Sequence, residues 1–151
     1  MKFAVIVFGL MLLASPAHAV NQSAWLKRCE GGDCEIVQRL MDQATQTRIL
    51  EVAIGFPTGP GAGRGVIILP LGVDISQPMT LQIDTGAPVP FSVRYCLRDG
   101  CYGFLDVPAP LLAAMKSGQM GVVAFRTFDG QPGRLPLALE GFTAALQSVT
   151  P

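Results

Sequence analysis

The sequence is poor in the side chains that most enzymes use. Its single histidine, His18, falls in a segment that the start of the chain marks for removal. "MKFAVIVFGLMLLASPAHAVN" has one cation, Lys2, then an apolar run from Phe3 to Ala14, then the small-residue pattern Ala17-His18-Ala19. That order is the order of a secretory signal peptide, with cleavage expected after Ala19. The apolar run breaks at Ser15-Pro16, short of the roughly 20 residues a membrane-spanning helix needs. Cleavage leaves residues 20–151 as one expected domain of 132 residues without an imidazole. A Ser-His-Asp or Cys-His arrangement, a general base poised near neutral pH and a histidine metal site are thereby excluded.

An excess of one charge is missing too. Loss of Lys2 leaves ten basic and eleven acidic side chains, and the cations are scattered along the chain. No basic stripe is available to neutralise phosphates, so nucleic acid is not an expected partner. After residue 19 no run is long and apolar enough to span a bilayer. Nothing in the composition calls for a cofactor.

Against these absences stand four cysteines, Cys29, Cys34, Cys96 and Cys101, spaced C-x4-C twice. An even set in an exported chain reads first as disulfides, because the compartments beyond the cytoplasmic membrane oxidise thiols. A four-thiolate zinc site would compete with that oxidation. A redox-active pair normally reads C-x-x-C at a helix start, whereas "EGGD" and "LRDG" are turn sequences. Three pairings are open to four cysteines. Loop-closure entropy favours long loops, about 4 kcal/mol against about 2 for a six-residue ring. Hairpin geometry at Gly31-Gly32-Asp33 and Asp99-Gly100 favours Cys29 with Cys34 and Cys96 with Cys101, which is the expected connectivity.

Elsewhere short strands alternate with turns. "CEIVQRLM" (34–41) and "RILEVAIGF" (48–56) have the β-branched content of half-buried strands and read as a hairpin across "DQATQT". "PTGPGAGRG" (57–65) packs prolines and glycines too densely for a regular element and is expected to be a mobile loop. "VIILPLGVDI" (66–75) reads as a buried strand that Pro70 ends or places at an edge. "MTLQIDTG", "FSVRYC", "CYGFLDV", "MGVVAFRTF" and "GRLPLALEGF" supply further strands, the last with Leu135, Leu137 and Leu139 on one face. A helix is expected over 109–117, capped by Asp106, opened by Pro108 or Pro110 and ended at Gly118, with Leu111, Leu112 and Met115 on its apolar face. "FTAALQSV" suits a closing helical turn. The fold class that follows is all-β, an antiparallel sandwich with one or two short helices, stapled by disulfides.

Two motifs resemble catalytic loops. "LQIDTGAP" carries Asp84-Thr85-Gly86 after apolar residues, as an aspartic protease loop does, and a dimer could pair two such carboxylates. The apolar-apolar-Gly stretch that packs beside such a loop has its nearest counterpart in "ALEGF", where Glu140 precedes the glycine. Turn chemistry explains Asp84 and Gly86 more simply. "GPGAGRG" lacks the Lys-Ser/Thr of a nucleotide loop and precedes a strand. Asn21-Gln22-Ser23 matches a glycosylation sequon. Trp25 is expected in the core. Tyr95, Arg98 and Tyr102, with Arg94, flank the second cysteine turn and would suit a partner surface, although cross-strand packing is the simpler reading of the tyrosines.

Taken in order, Trp25 before Cys29, then Cys34, "ILPLGVDI", "LQID", "PFSVRYCLRDGC", "LLAAMKSGQMGVVAF" and "LPLALEGFTAAL" resemble the invasion associated locus B family over essentially the whole chain after Ala19. The resemblance implies export, an immunoglobulin-like β-sandwich and, in pathogenic members, a link to host-cell invasion. It implies no catalytic residues. The expected function is a non-enzymatic exported binding module, periplasmic or at the cell surface, whose partner is an envelope or host-surface component. A structural or stress role in the envelope is the alternative, and a dimeric aspartic protease using Asp84 or a thiol oxidoreductase ranks below both. The oligomeric state stays open.

Overall fold

The computed structural model describes residues 20–57 and 63–150. The expected signal segment, the centre of the expected loop at 58–62 and Pro151 lie outside the described residues. Ten antiparallel strands and two short helices make up the described part. They are β1 (Val20–Gln22), β2 (Leu26–Glu30), β3 (Asp33–Asp42), β4 (Arg48–Gly55), β5 (Gly63–Leu69), β6 (Met79–Ile83), β7 (Val89–Leu97), β8 (Gly100–Val107), α1 (Ala109–Ser117), β9 (Met120–Arg126), β10 (Pro132–Ala138) and α2 (Phe142–Gln147).

The strands follow one hydrogen-bonded path, β1-β3-β4-β5-β8-β7-β6-β9-β10, with β2 paired to β3 beside β1. The path curls on itself. β1 to β5, β8 and β7 make one layer, and β6, β9 and β10 make the other, joined through the short pairing of Met79–Leu81 with Val89–Phe91. Alternation explains which face each strand buries. Ile36, Leu40, Leu50, Val52, Ile54, Ile67, Leu69 and Leu105 point from the larger layer into the core, and Leu81, Ile83, Val123 and Leu137 meet them from the smaller. The antiparallel β-sandwich expected from the sequence is the observed fold.

The two ends of the path meet without a backbone ladder. Gln38 is buried on β3, and its amide reproduces a strand's pairing: Nε2 donates to the Ala138 carbonyl at 2.9 Å, and the Ala138 N–H donates to Oε1 at 3.0 Å. Trp25 Nε1 donates to the same carbonyl at 2.8 Å, and Gln22 Nε2 to that of Pro136 at 2.8 Å. These side chains satisfy backbone groups on a strand edge that would otherwise lie unpaired against the core. Trp25 is a core residue, as expected, edge-on to Phe142 with centroids 5.1 Å apart.

Several boundaries differ from expectation for identifiable reasons. The expected loop 57–65 gives up Gly63-Arg64-Gly65 to β5, because the chain there runs close to its neighbours: a Cβ on Gly63 would lie 3.0 Å from the Phe56 ring and 3.2 Å from Val107. The expected strand 66–75 stops at Leu69, where Pro70 ends the ladder, and only Val73 returns to pair, with Thr127. Asp106 is not the helix cap; it belongs to β8, Pro108 occupies the cap position, and no side chain caps α1. Otherwise α1 spans the expected residues, with Leu111 and Met115 buried at i and i+4 and the Gly118 N–H closing on the Ala114 carbonyl at 2.8 Å. β10 ends at Ala138, so Leu139 is buried but outside the strand.

Candidate functional site

Both cysteine pairs are formed as expected, Cys29 with Cys34 and Cys96 with Cys101. Each joins directly opposed residues one position back from a two-residue turn, with Cα atoms 4.1 and 3.9 Å apart. Gly31 and Gly32 make the first turn with φ of 60° and 95°, the left-handed pair that a tight hairpin requires. The register places the two staples at opposite ends of the larger layer: Glu35, Gly55, Arg64 and Asp106 align at one end, and Leu69 and Cys101 at the other. The four sulfurs therefore do not converge on one metal. A six-residue ring restrains little chain, so replacing either pair by serines is expected to cost only about 2 kcal/mol, read as a drop in urea midpoint with the slope unchanged.

The second hairpin carries the aromatic residues singled out in the sequence. β7 and β8 oppose Tyr95 to Tyr102, and the two rings stack with centroids 5.2 Å apart and planes 21° from parallel. The expected cross-strand packing is therefore present. Tyr95 nonetheless keeps 45% of its surface exposed. Arg94 lies over the Phe104 ring at 5.0 Å, within cation–π range. Arg98, in the turn, makes no ion pair or side-chain hydrogen bond among the described residues.

A polar network missed by sequence reasoning fixes this hairpin to the rest of the layer. Pairing across four interfaces lines up Arg39, Glu51, Ile68, Tyr102 and Tyr95 in one row. Glu51 in that row is only 2% exposed, yet it is charged and fully partnered: Arg28 at 2.9 Å, Arg39 at 2.7 Å and Arg48 at 3.3 Å reach its two oxygens. Arg28 also meets Glu35 at 2.6 Å. Arg48 continues to Asp99 at 2.9 Å, and Tyr102 Oη donates to the same carboxylate at 2.7 Å. Burial alone would raise the Glu51 carboxyl, but hydrogen bonds from Arg39 and Arg28 and their charges hold it below the usual range. The Tyr102 hydroxyl and then Arg48 hold Asp99 low, and the Asp99 carboxylate in turn raises Tyr102. The only sequence signal was an acid inside the apolar strand "RILEVAIGF".

Asp84 sits apart from all of this, at the end of β6. Its backbone takes φ of 44°, a conformation Asp tolerates better than most residues. Its carboxylate accepts the Gln119 and Met120 N–H groups at 3.2 and 3.0 Å, while its own N–H donates to the Met120 carbonyl at 2.8 Å. Gly118 makes room for this clamp, since a Cβ there would lie 2.9 Å from Asp84 Oδ2 and 2.6 Å from Ile83. The Asp-Thr-Gly motif thus ties β6 to β9. Asp84→Asn keeps an acceptor and a tolerated backbone and is expected to be nearly neutral, whereas Asp84→Ala should cost about 1–2 kcal/mol by urea denaturation.

A groove of about 720 Å³ runs beside the first hairpin, between Lys27, Glu30, Asp33, Glu35, Phe56, Arg64 and the chain end at Ser148–Thr150. Its charges are mixed, and Lys27 is engaged with the Ser148 carbonyl at 2.7 Å.

Comparison with known proteins places this geometry. The model of the family described as "Invasion associated locus B (IalB) protein" matches residues 25–150. Two curated relatives, an Invasion protein B homolog from Brucella abortus strain 2308 and another from Brucella abortus biovar 1 strain 9-941, are each 30% identical over 117 residues, covering 77% of this chain and 67% of theirs. The crystal structure of invasion associated protein B from Bartonella henselae is similar in fold, with a TM-score of 0.77 at 22% identity, over 85% of this chain and 93% of that one. Among the described residues no helix is long and apolar enough to cross a membrane. The chain belongs to the invasion associated locus B family.

Proposed function

We propose that the protein is an exported, non-enzymatic binding module of the invasion associated locus B type that presents the β7–β8 hairpin to an envelope or host-surface macromolecule. One observation carries this reading. A tyrosine pair is held by a disulfide and by the Asp99–Arg48–Glu51 chain, yet Tyr95 stays half-exposed and Arg98 has no ion pair or side-chain hydrogen bond among the described residues. Rigid aromatics beside an uncommitted arginine are the side chains that anchor protein contacts at low entropic cost. Two formed disulfides support export, because compartments beyond the cytoplasmic membrane oxidise thiols. Asp84 as a strand clamp, with its carboxylate engaged by backbone N–H groups, supports a non-enzymatic role.

The test uses immobilised protein (residues 20–151) and its Tyr95→Ser/Arg98→Ser variant, incubated with solubilised envelope fractions and with intact host cells. A partner retained by the parent and lost by the variant is expected, with at least a tenfold drop in capture for two anchor residues. Equal capture by both, or none by either, would remove the hairpin as the contact surface.

A further inference from the structure

Strand β7 changes neighbours along its length. It pairs with β6 over Val89–Phe91 and with β8 from Ser92 to Leu97, so the side of residues 92–97 that faces away from β8 has no strand beside it among the described residues. The sequence explains the bare edge. Continuing the β6 ladder past Met79 and Phe91 would set Pro78 opposite Ser92, and proline has no N–H to donate. The chain before Pro78 is held on the far side of β6 instead: Val73 pairs with Thr127, and Asp74 N–H donates to the Arg126 carbonyl at 2.8 Å, at the end of β9. The second disulfide then identifies backbone groups that face the gap. In an antiparallel pair, opposed residues that exchange hydrogen bonds have Cα atoms about 5.5 Å apart, and those that do not about 4.5 Å. Cys96 and Cys101, at 3.9 Å, are of the second kind, so the N–H and carbonyl of Cys96 point away from β8. Neither has a partner among the described residues. Residues 91–97 contain no lysine or proline, which commonly block a sheet edge; the bulge between Val93 and Tyr95 confines an added strand to the half nearer the turn.

We infer that the β7 edge accepts an extended segment of a partner protein as an added strand, one in which apolar side chains alternate with polar ones and acidic residues stand among the polar positions. The inference rests on the hairpin reading above and names what the hairpin recognises. An unpaired N–H and carbonyl on a strand edge are complemented by another polypeptide backbone in extended form. Tyr95 and Leu97 lie on one face beside that edge, 45% and 54% exposed, and an added strand sets every second side chain against them. The charges complete the preference. Arg94 rests on the Phe104 ring and Arg98 lies in the turn, neither with an ion pair among the described residues, whereas the acid of the turn, Asp99, is engaged by Arg48 and Tyr102. The unspent charges along the edge are therefore both cationic and favour acidic residues in the incoming segment. A second copy of this chain is a poor complement, because it would bring its own Arg94 and Arg98 to the same edge.

The probe is the synthetic peptide acetyl-Asp-Val-Thr-Val-Glu-Val-Thr-Val-Asp-amide, and amide exchange followed by NMR reads the edge directly. On saturation with peptide, the outward N–H of Cys96 is expected to exchange about tenfold more slowly or better. Two further forms, methylated on the backbone nitrogens of either the apolar or the polar residues, each lack the donors along one of the peptide's edges. One of them should bind about tenfold more weakly and the other as the parent peptide does, since only one edge can face β7. Arg94→Glu, which gives up the contact with Phe104 and leaves Tyr95 and Arg98 in place, should also weaken binding about tenfold, and a peptide with lysine in place of its acids should recover it. Unchanged exchange at Cys96, equal binding of both methylated forms, or slowed exchange that follows protein concentration without peptide would overturn the inference, the last by giving the edge to a second copy. The two readings fail separately. An envelope or host partner that Tyr95→Ser/Arg98→Ser loses but that leaves Cys96 exchange unchanged keeps the hairpin surface and removes the added strand, whereas peptide protection at Cys96 with no partner captured does the reverse.

Discussion

Trp25→Ala is expected to lower the unfolding free energy by about 3–5 kcal/mol. The indole is buried and meets Phe142 edge-on at 5.1 Å, and its N–H donates to the Ala138 carbonyl at 2.8 Å. Removing it opens a cavity between the chain's first strands and its last helix and loosens one of the links that join the two ends of the sheet path. Trp25→Phe separates these contributions. The smaller ring retains most of the packing and loses the hydrogen bond; because Gln38 Nε2 still donates to the same carbonyl, the loss should be about 1 kcal/mol beyond the difference in volume. Far-UV circular dichroism under urea is the appropriate probe, since either change removes the only tryptophan. Amide exchange at Ala138 should quicken more in Trp25→Ala than in Trp25→Phe.

Glu51→Gln is expected to cost about 2–3 kcal/mol at neutral pH. The substitution keeps shape and one acceptor but leaves Arg28, Arg39 and Arg48 crowded around a neutral amide. The lower part of the usual range for a broken buried pair applies because the Arg28 and Arg39 side chains are 42% and 46% exposed and partly screened by water. The pH dependence has a definite sign. The folded-state carboxyl is held below its ordinary value, so its contribution is complete above the unfolded carboxylate range, near pH 4, and is lost as pH falls through the lowered folded value. The gap between parent and Glu51→Gln should therefore narrow in acid. Urea midpoints at pH 7 and pH 3 measure it, and a constant gap would place the charge outside the stabilising network.

Much of this architecture is visible in local sequence, and the buried polar groups that are not share one cause. The glycine-bearing turns between close cysteines identify both staples, because a tight hairpin and a disulfide make compatible demands on two facing Cα atoms. Helix α1 is equally legible, since Pro110, the Leu111–Met115 spacing and Gly118 are local signals. The tyrosine stack could be anticipated from its symmetric placement about the second turn. Glu51 could not: its three arginines come from β2, β3 and β4 and converge only through strand register. Gln38 and Ala138 meet across 100 positions, and no periodicity encodes which backbone group a buried amide will find. Strands β1 and β2 are too short to show an alternation, and β2 is exposed along its whole length. Asp84 shows the opposite failure, where a catalytic-looking triplet serves a backbone position that only the folded β6–β9 contact explains.

The side-chain closure between the path's two ends also sets the order in which the molecule can be completed. Its bonds join residues 22–38 to residues 136–138, with sequence separations of 100 to 114. A chain emerging from its N-terminus first can pair β2, β3 and β4 early through local hairpins, yet Gln38 and Trp25 have no acceptor until nearly the whole chain is available. Such late, long-range contacts slow folding and leave an amide, an indole and a strand edge unsatisfied in the interval. The first strands are thus the last to be finished, and loss of the closing residues Pro136–Ala138 would be felt at the opposite end of the sequence.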